Sequence, residues 1–250
     1  MSETVFSSNS RGSSLYQAIK LQLIEDIESG AVAPGDMLPN ERDLASRFEV
    51  AIGTLRRAVD ELVAEGILVR QQGRGTFVRR QDREQFMYQF FKITARDGVK
   101  EFPKVQTHSF AKARASQEEA KALGLQTGQA VIRICNVLSL AEQSVIIDQI
   151  VIAQTLFEGL TRKMFESRPS TIYELYQSVF GVTVVGGTER ARAIACDEFS
   201  AQMLGLEVGQ PVLRLERIAH TFGGKPAEYR TSIVNTDHFD YVSNLQSSSA

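Results

Sequence analysis

Apolar residues recur every fourth position at Leu15, Ile19, Leu23 and Ile27, the spacing of one face of an α-helix. Gly30 follows where a left-handed C-terminal cap belongs, and Pro34-Gly35 marks a turn. Asn40 then precedes a second short helical pattern with Leu44, Ala45 and Phe48 inward. Its side chain can accept from the orphan amides of a helix start, and Glu41 suits the positive end. Glu49-Val50-Ala51 connects to a third helix, whose inner positions are Leu55, Ala58, Val59, Leu62 and Val63. Gly66 ends it. The period then shortens to two β-type runs, 67–71 and 76–78, joined by Gln72-Gly73-Arg74-Gly75. Two helices joined by a tight turn and followed by a hairpin predict a winged helix-turn-helix.

The glycines of QQGRGT invite a phosphate loop, but such a loop runs from strand to helix, so that helix amides meet the anion. Here the glycines lie between two strands, after a helix, and that reading fails on context. A wing tip explains them better, since glycine lets the backbone approach a sugar-phosphate wall. Arg74 at that tip suits a narrow minor groove.

The rest of the chain repeats a phrase. ALGLQTGQAVIRI (122–134) and MLGLEVGQPVLRL (203–215) each follow a short helix, SQEEAKAL with Ser116 and Glu119 as a capping box, and DEFSAQML. Each leads into a long β run, 130–140 or 211–222, and then a second, 144–152 or 226–234. A helix-strand-hairpin unit used twice predicts one sheet with approximate two-fold symmetry and helices on one side. Between the copies lie an amphipathic helix, 170–181, with Ser170 as cap and Gly181 as stop, and a further strand, 182–196. The fold class is therefore α+β. The expected divisions are a tail (1–11), the winged helix (12–80), a charged linker (81–86), the second domain (87–243) and a second tail (244–250).

Charge and composition narrow the function. The chain has 250 residues and a net charge of −2, so it is no polycation. Between Gly66 and Arg80, however, Arg70, Arg74, Arg79 and Arg80 occur with no acid among them, and local distribution is what nucleic acid reads. On the third helix Thr54, Arg56 and Arg57 lie near the N-terminal end, with Asp60, Glu61 and Glu65 further along. The pairs Arg56–Asp60 and Arg57–Glu61 also fit a solvated, salt-bridged face. No apolar run is long enough for a membrane span. Cys135 and Cys196 are far apart and in no metal-ligand spacing, which suits buried thiols in a reducing cytoplasm.

The segment from Leu15 to Val78 resembles the DNA-binding domain of GntR-family bacterial repressors. The resemblance rests on LYQAI…IESGAVAPGDMLPNERDLASRFEV and GTLRRAVDELVAEGILVRQQGRGTFV. It implies DNA contacts from Arg42, Thr54, Arg56, Gln72, Gly73 and Arg74. The family's Ser-Arg is replaced by Ala51-Ile52, which shifts base reading toward Arg56, Arg57 and apolar contact with a thymine methyl. Roughly residues 85–242 resemble the effector-binding domain of the HutC subfamily, with a chorismate-lyase-like fold, chiefly through the doubled LGL-x-x-GQ-x-V phrase. The implied protein is a homodimeric, ligand-responsive repressor on a palindromic operator, needing no cofactor and no membrane.

For the effector pocket, the resemblance places two anion-clamping arginines at positions that are here Asn136 and Leu138. Sugar phosphates are then expected to be poor ligands, and a less charged metabolite such as a carboxylate good ones. The remaining candidates by family position are Lys92, Arg96, Asp148, Arg217, Glu228 and Tyr229, although for any single one a surface salt bridge or strand-edge charge is the simpler reading. Phe86, Tyr88, Phe90 and Phe91 fit a pocket lining or an ordinary strand with a core face. A lyase-like enzyme with an appended DNA-binding module is the alternative. It lacks a recognised acid, base or nucleophile: His108, His220 and His238 are scattered and form no metal motif.

Overall fold

The computed structural model describes residues 9–80, 82–98 and 101–243. The chain forms two compact units, residues 1–80 and 81–250.

In the first unit α1 (Asn9–Glu28), α2 (Glu41–Arg47) and α3 (Ile52–Ala64) precede the hairpin of β1 (Leu68–Gln71) and β2 (Gly75–Val78). Asn9 to Arg11, expected in a tail, open α1. The buried stripe of α1 is Tyr16, Ile19, Leu23, Ile24 and Ile27, whereas Leu15 is exposed. The i, i+3, i+4 spacing from Tyr16 selects that stripe over a strict four-residue row. Asn40 caps α2 as expected, accepting from the Asp43 amide at 2.9 Å. Leu55, Ala58, Val59 and Leu62 of α3 meet it at 2% exposure or less. Each large aliphatic among them contributes about 1.5–3 kcal/mol by leaving water. Glu49 turns the chain between α2 and α3 at φ 53, a left-handed conformation in a non-glycine residue.

The second unit runs α4 (Arg83–Gln89), β3 (Ile93–Ala95), β4 (Lys104–Arg114), α5 (Gln117–Leu123), β5 (Ala130–Leu140), β6 (Gln143–Ala153), α6 (Arg162–Glu166), α7 (Ile172–Phe180), β7 (Gly186–Ala195), α8 (Glu198–Leu204), β8 (Pro211–His220), β9 (Pro226–Val234) and β10 (Phe239–Tyr241). Its six-stranded antiparallel sheet has the order β4-β5-β6-β9-β8-β7, so the two copies of the repeat meet at β6–β9. α5 and α8 have equivalent caps. Ser116 and Asp197 begin them, and the left-handed Gly124 (φ 64) and Gly205 (φ 70) end them. Each helix covers a strand of the other copy. Tyr229 of β9 donates to Glu118 of α5 at 2.8 Å, and Leu204 of α8 packs with Ile147 of β6.

Helices cover both faces of the sheet, not one as the repeat suggested. Alternation along β5 shows why. Val131 and Cys135 face α5 and α8, while Ile132, Ile134 and Leu138 face a larger core with α4, α6 and α7. Strands apolar on both sides need two covers. The aromatic run at 86–91 is not a strand. Phe86 and Phe90 are spaced i,i+4 on α4 and both are buried. The expected linker therefore gives up residues 83–86 to a helix held by that core. Thr171, not Ser170, caps α7 by accepting from the Glu174 amide.

Candidate DNA interface and effector pocket

The N-terminal end of α3 presents Ala51, Ile52 and Gly53 to solvent, with Thr54 half-buried and Arg56 and Arg57 exposed. Neither expected i,i+4 pair forms an ion pair among the described residues. Arg56 Nε instead donates to Glu41 Oε2 of α2 at 2.6 Å, and this partner raises the guanidinium's pKa. Arg57 lies over the Tyr16 ring at 4.0 Å. Asp60 pairs with Arg70 at 2.5 Å, and Glu61 with Lys20 at 3.3 Å. The acids of α3 are thus spent on α1 and β1, leaving the helix start uncovered. Arg42 is exposed on α2. The wing tip has Gln72, Gly73 and Arg74 exposed; Gly73 is at φ 71, and Arg74 lies 5.7 Å from the Phe77 ring centroid. These positions share the apolar and cationic character that a major groove edge and an adjoining phosphate wall require.

In the second unit a polar cluster is buried on the α4/α7 face of the sheet. Period-two alternation puts Glu228, Arg230 and Ser232 of β9 on that face, beside Asp148 of β6 and Asn136 of β5. Arg230 is 6% exposed and binds Glu228 through two nitrogens, at 2.8 and 3.1 Å, and Asp148 at 2.8 Å. Burial alone would lower its pKa, but Glu228 and Asp148 hold it well above the ordinary value. The hydroxyls of Tyr173 and Tyr176 donate to Glu228 at 3.1 and 2.9 Å, and Ser232 donates to Asp148 at 2.5 Å. Burial, then the Glu228 charge, raises both tyrosines' pKa. A buried charge cluster of this kind holds together only because nearly every lone pair is met.

Two small cavities, of about 30 and 40 Å³, lie over this cluster. Both touch Phe86, Leu138, Asp148 and Arg230. The first adds Lys92, Arg217 and Ser232; the second adds Asn136, Arg168, Ser170 and Thr171. A groove of about 510 Å³ shares Phe102, Pro103, Val105, Arg168 and Ser170 with the second cavity.

Of the candidate effector residues, Lys92, Asn136, Asp148 and Arg217 line the cavities, and Glu228 binds Arg230, which lines both. Arg217 is already committed, pairing with Glu189 at 2.5 Å and donating to the Phe90 carbonyl at 2.7 Å. Two candidates belong elsewhere. Arg96 is exposed and binds Asp240 and the Thr236 carbonyl. Tyr229 points to the opposite face and Glu118, because it alternates with Glu228 and Arg230. Sequence reasoning missed Arg230, Tyr173, Tyr176 and Arg168. The Glu-x-Arg spacing of 228–230 was the available signal, since it puts two opposite charges on one face of a strand. Cys135 and Cys196 are buried free thiols, and burial raises both pKa values.

A winged helix with an open, arginine-bearing recognition helix, joined in one chain to a sheet domain with a cavity over a buried polar cluster, defines a class: DNA-binding regulators that carry a ligand-binding domain. Residues 15–78 match the model of the bacterial regulatory proteins of the gntR family, and residues 100–240 match the UTRA domain. The chain belongs to the GntR-family transcriptional regulators with a UTRA effector-binding domain. Its relatives are regulators, not enzymes. A Shigella flexneri protein named "Probable fructoselysine utilization operon transcriptional repressor" is 29% identical over 218 residues, covering 85% of this chain and 86% of its own. The Bacillus subtilis repressor NagR is 26% identical, with 91% and 93% covered. The solved ligand-binding domain of a GntR-family regulator from Bordetella bronchiseptica is 32% identical, with a TM-score of 0.62, covering 64% of this chain and 99% of that one. YydK of Bacillus subtilis shares the fold across 93% of this chain and 99% of its own, at 21% identity and a TM-score of 0.55.

Proposed function

We propose that the protein is a cytoplasmic repressor that binds a palindromic operator as a homodimer and responds to a small carboxylate bound over the Arg230 cluster. The observation that carries this reading is the buried cavity on the β6–β9 face. Its polar lining is internally neutralised except at a few groups, as a receptor for a modestly charged ligand requires. Leu138, and Asn136 beside it, face the cavity where the family resemblance expects arginines, so a bidentate clamp on phosphate has no second guanidinium there. Arg42, Thr54, Arg56 and Arg57 on the helices, with Gln72, Gly73 and Arg74 on the wing, make the DNA contacts. A dimer follows from the operator: one α3 covers a few base pairs, and two copies one helical turn apart supply a full site.

The test is to select operator sequences from random DNA with the purified protein, then titrate organic acids against the complex. A two-fold symmetric selected site, two chains per duplex by light scattering, and release or tightening by an acid are the expected results. An asymmetric site bound by one chain would refute the dimer. Response only to phosphate esters would refute the ligand class.

A further inference from the structure

The polar atoms around the second cavity are almost all paired, and two exceptions stand out. Asn136 is 3% exposed and its Oδ1 has no hydrogen-bond partner. Arg168, in the connection between α6 and α7, has its Nε buried and unpartnered. Its NH1 group donates to the Phe165 carbonyl at 2.5 Å, and its guanidinium lies 4.3 Å from the Phe165 ring centroid. Among the described residues no carboxylate lies within ion-pair distance of it. The contrast with its neighbours is sharp: Arg217 has Glu189, and Arg230 has Glu228 and Asp148. Burial, with the nearby Arg230 charge, lowers the Arg168 pKa, as expected of a cation awaiting a counter-charge.

The two orphan groups line the same cavity, but at different depths. Asn136 belongs only to its closed part, whereas Arg168 also lines the open groove. A buried unmet acceptor and a half-buried unmet cation each cost free energy in the free protein, and a ligand satisfying both recovers it. We propose that the effector is a hydroxy monocarboxylate whose carboxylate is bound by Arg168 at the cavity mouth and whose hydroxyl reaches Asn136 inside. The assignment rests on the reading of this domain as an effector-binding unit and specifies its ligand. The cavity, at about 40 Å³, has room for a few water-sized groups, a hydroxyl-bearing carbon among them, since one such group needs only about 10–15 Å³ of this volume. The remainder of the ligand lies in the groove. A single uncommitted guanidinium matches a single negative charge. A hydroxyl suits Asn136 better than an ammonium, because Arg230 and Arg168 repel a cation there and both oxygens of Asp148 are already occupied.

Full-length protein is titrated calorimetrically with matched probes: L-lactate, D-glycerate and L-threonate; propionate and butyrate, which lack the hydroxyl; glycerol, which lacks the carboxylate; and glycerol 3-phosphate, a dianion. At least one hydroxy acid should bind, and its deoxy, neutral and phosphorylated counterparts should bind at least about 10-fold more weakly, the worth of one charge-assisted or buried hydrogen bond. Arg168→Gln should lower the affinity for the hydroxy acid by about 10-fold or more, with Arg168→Lys in between. Asn136→Leu should erase the preference for hydroxy acid over deoxy acid. Unliganded melting temperatures show whether the variants fold. No binding by any of the hydroxy acids, equal binding of glycerol 3-phosphate, or variants with unchanged affinity would overturn the proposal. A hydroxy acid that binds through Arg168 without altering operator affinity would leave this subsite standing and refute the regulatory reading instead.

Discussion

Replacing Arg230 by Met removes the cation that, among the described residues, pairs with two buried carboxylates. Glu228 is 0% exposed and Asp148 4%, so neither can turn to water. Breaking a buried ion pair by deleting one partner costs about 3–5 kcal/mol, because the other charge stays behind. Here two charges stay behind, and the upper part of that range is expected. The two tyrosine hydroxyls and Ser232 still donate to the carboxylates, which keeps the loss from growing further. For a unit of this size each kcal/mol moves the melting temperature by about 2–4 °C, so a drop of about 10–20 °C follows. The assay is thermal and urea unfolding followed by near-ultraviolet circular dichroism. The chain has no tryptophan, and five of its six tyrosines lie in the second unit, so the tyrosine signal reports that unit. The triple substitution Arg230→Met, Glu228→Gln, Asp148→Asn should recover most of the loss, since it removes the charges together. A deficit below about 1 kcal/mol, or a triple variant no more stable than Arg230→Met alone, would refute the reasoning.

Four further outcomes are expected. Arg74→Ala should weaken binding to all DNA sequences and lower the salt slope by about one unit, measured by fluorescence anisotropy across salt concentrations. Arg56→Ala should cost about 1–3 kcal/mol on a selected operator and relax discrimination at one or two base pairs; Glu41→Gln should reproduce part of that relaxation, because Glu41 orients the guanidinium, and a Glu41 variant with full discrimination would count against that orienting role. Gly187→Ala should destabilise the β7–β8 edge by about 1–3 kcal/mol in urea melts, because its Cβ would lie 2.9 Å from the Ile218 carbonyl oxygen, a backbone atom that cannot turn aside. Arg133 lowers the Glu119 pKa by hydrogen bonding, so the pair's contribution is fully present above the ordinary glutamate value of about 4.3 and is lost as pH falls through the lowered value of the folded state; Arg133→Met should reduce stability at pH 7 and converge with the parent protein in acid, once Glu119 is protonated in both states.

The winged helix was legible from the chain alone because its signals are local. Asn40 caps α2, Leu55, Ala58, Val59 and Leu62 share one helical face, and Gly73 turns the wing, each within a few residues of what it determines. The doubled LGL phrase likewise announced two equivalent helix-strand units, since caps and alternation are properties of short segments. What it could not say is how the units cover one another. That α5 lies on β9 and α8 on β6, and that a second layer of α4, α6 and α7 closes the opposite face, depends on contacts between residues far apart in sequence, 111 positions in the case of Glu118 and Tyr229. The same holds for the site. Glu228 and Asp148 were singled out as charges of unknown duty, but only strand register brings Asp148 against Arg230 and turns Tyr229 away. Arg168 carried no signal at all: an arginine in a Ser-Arg-Pro-Ser connection reads as surface. Among the described residues no carboxylate lies within ion-pair distance of it, and a missing partner is a fact of three dimensions, because desolvation and pairing are decided by whatever the fold brings within a few ångströms.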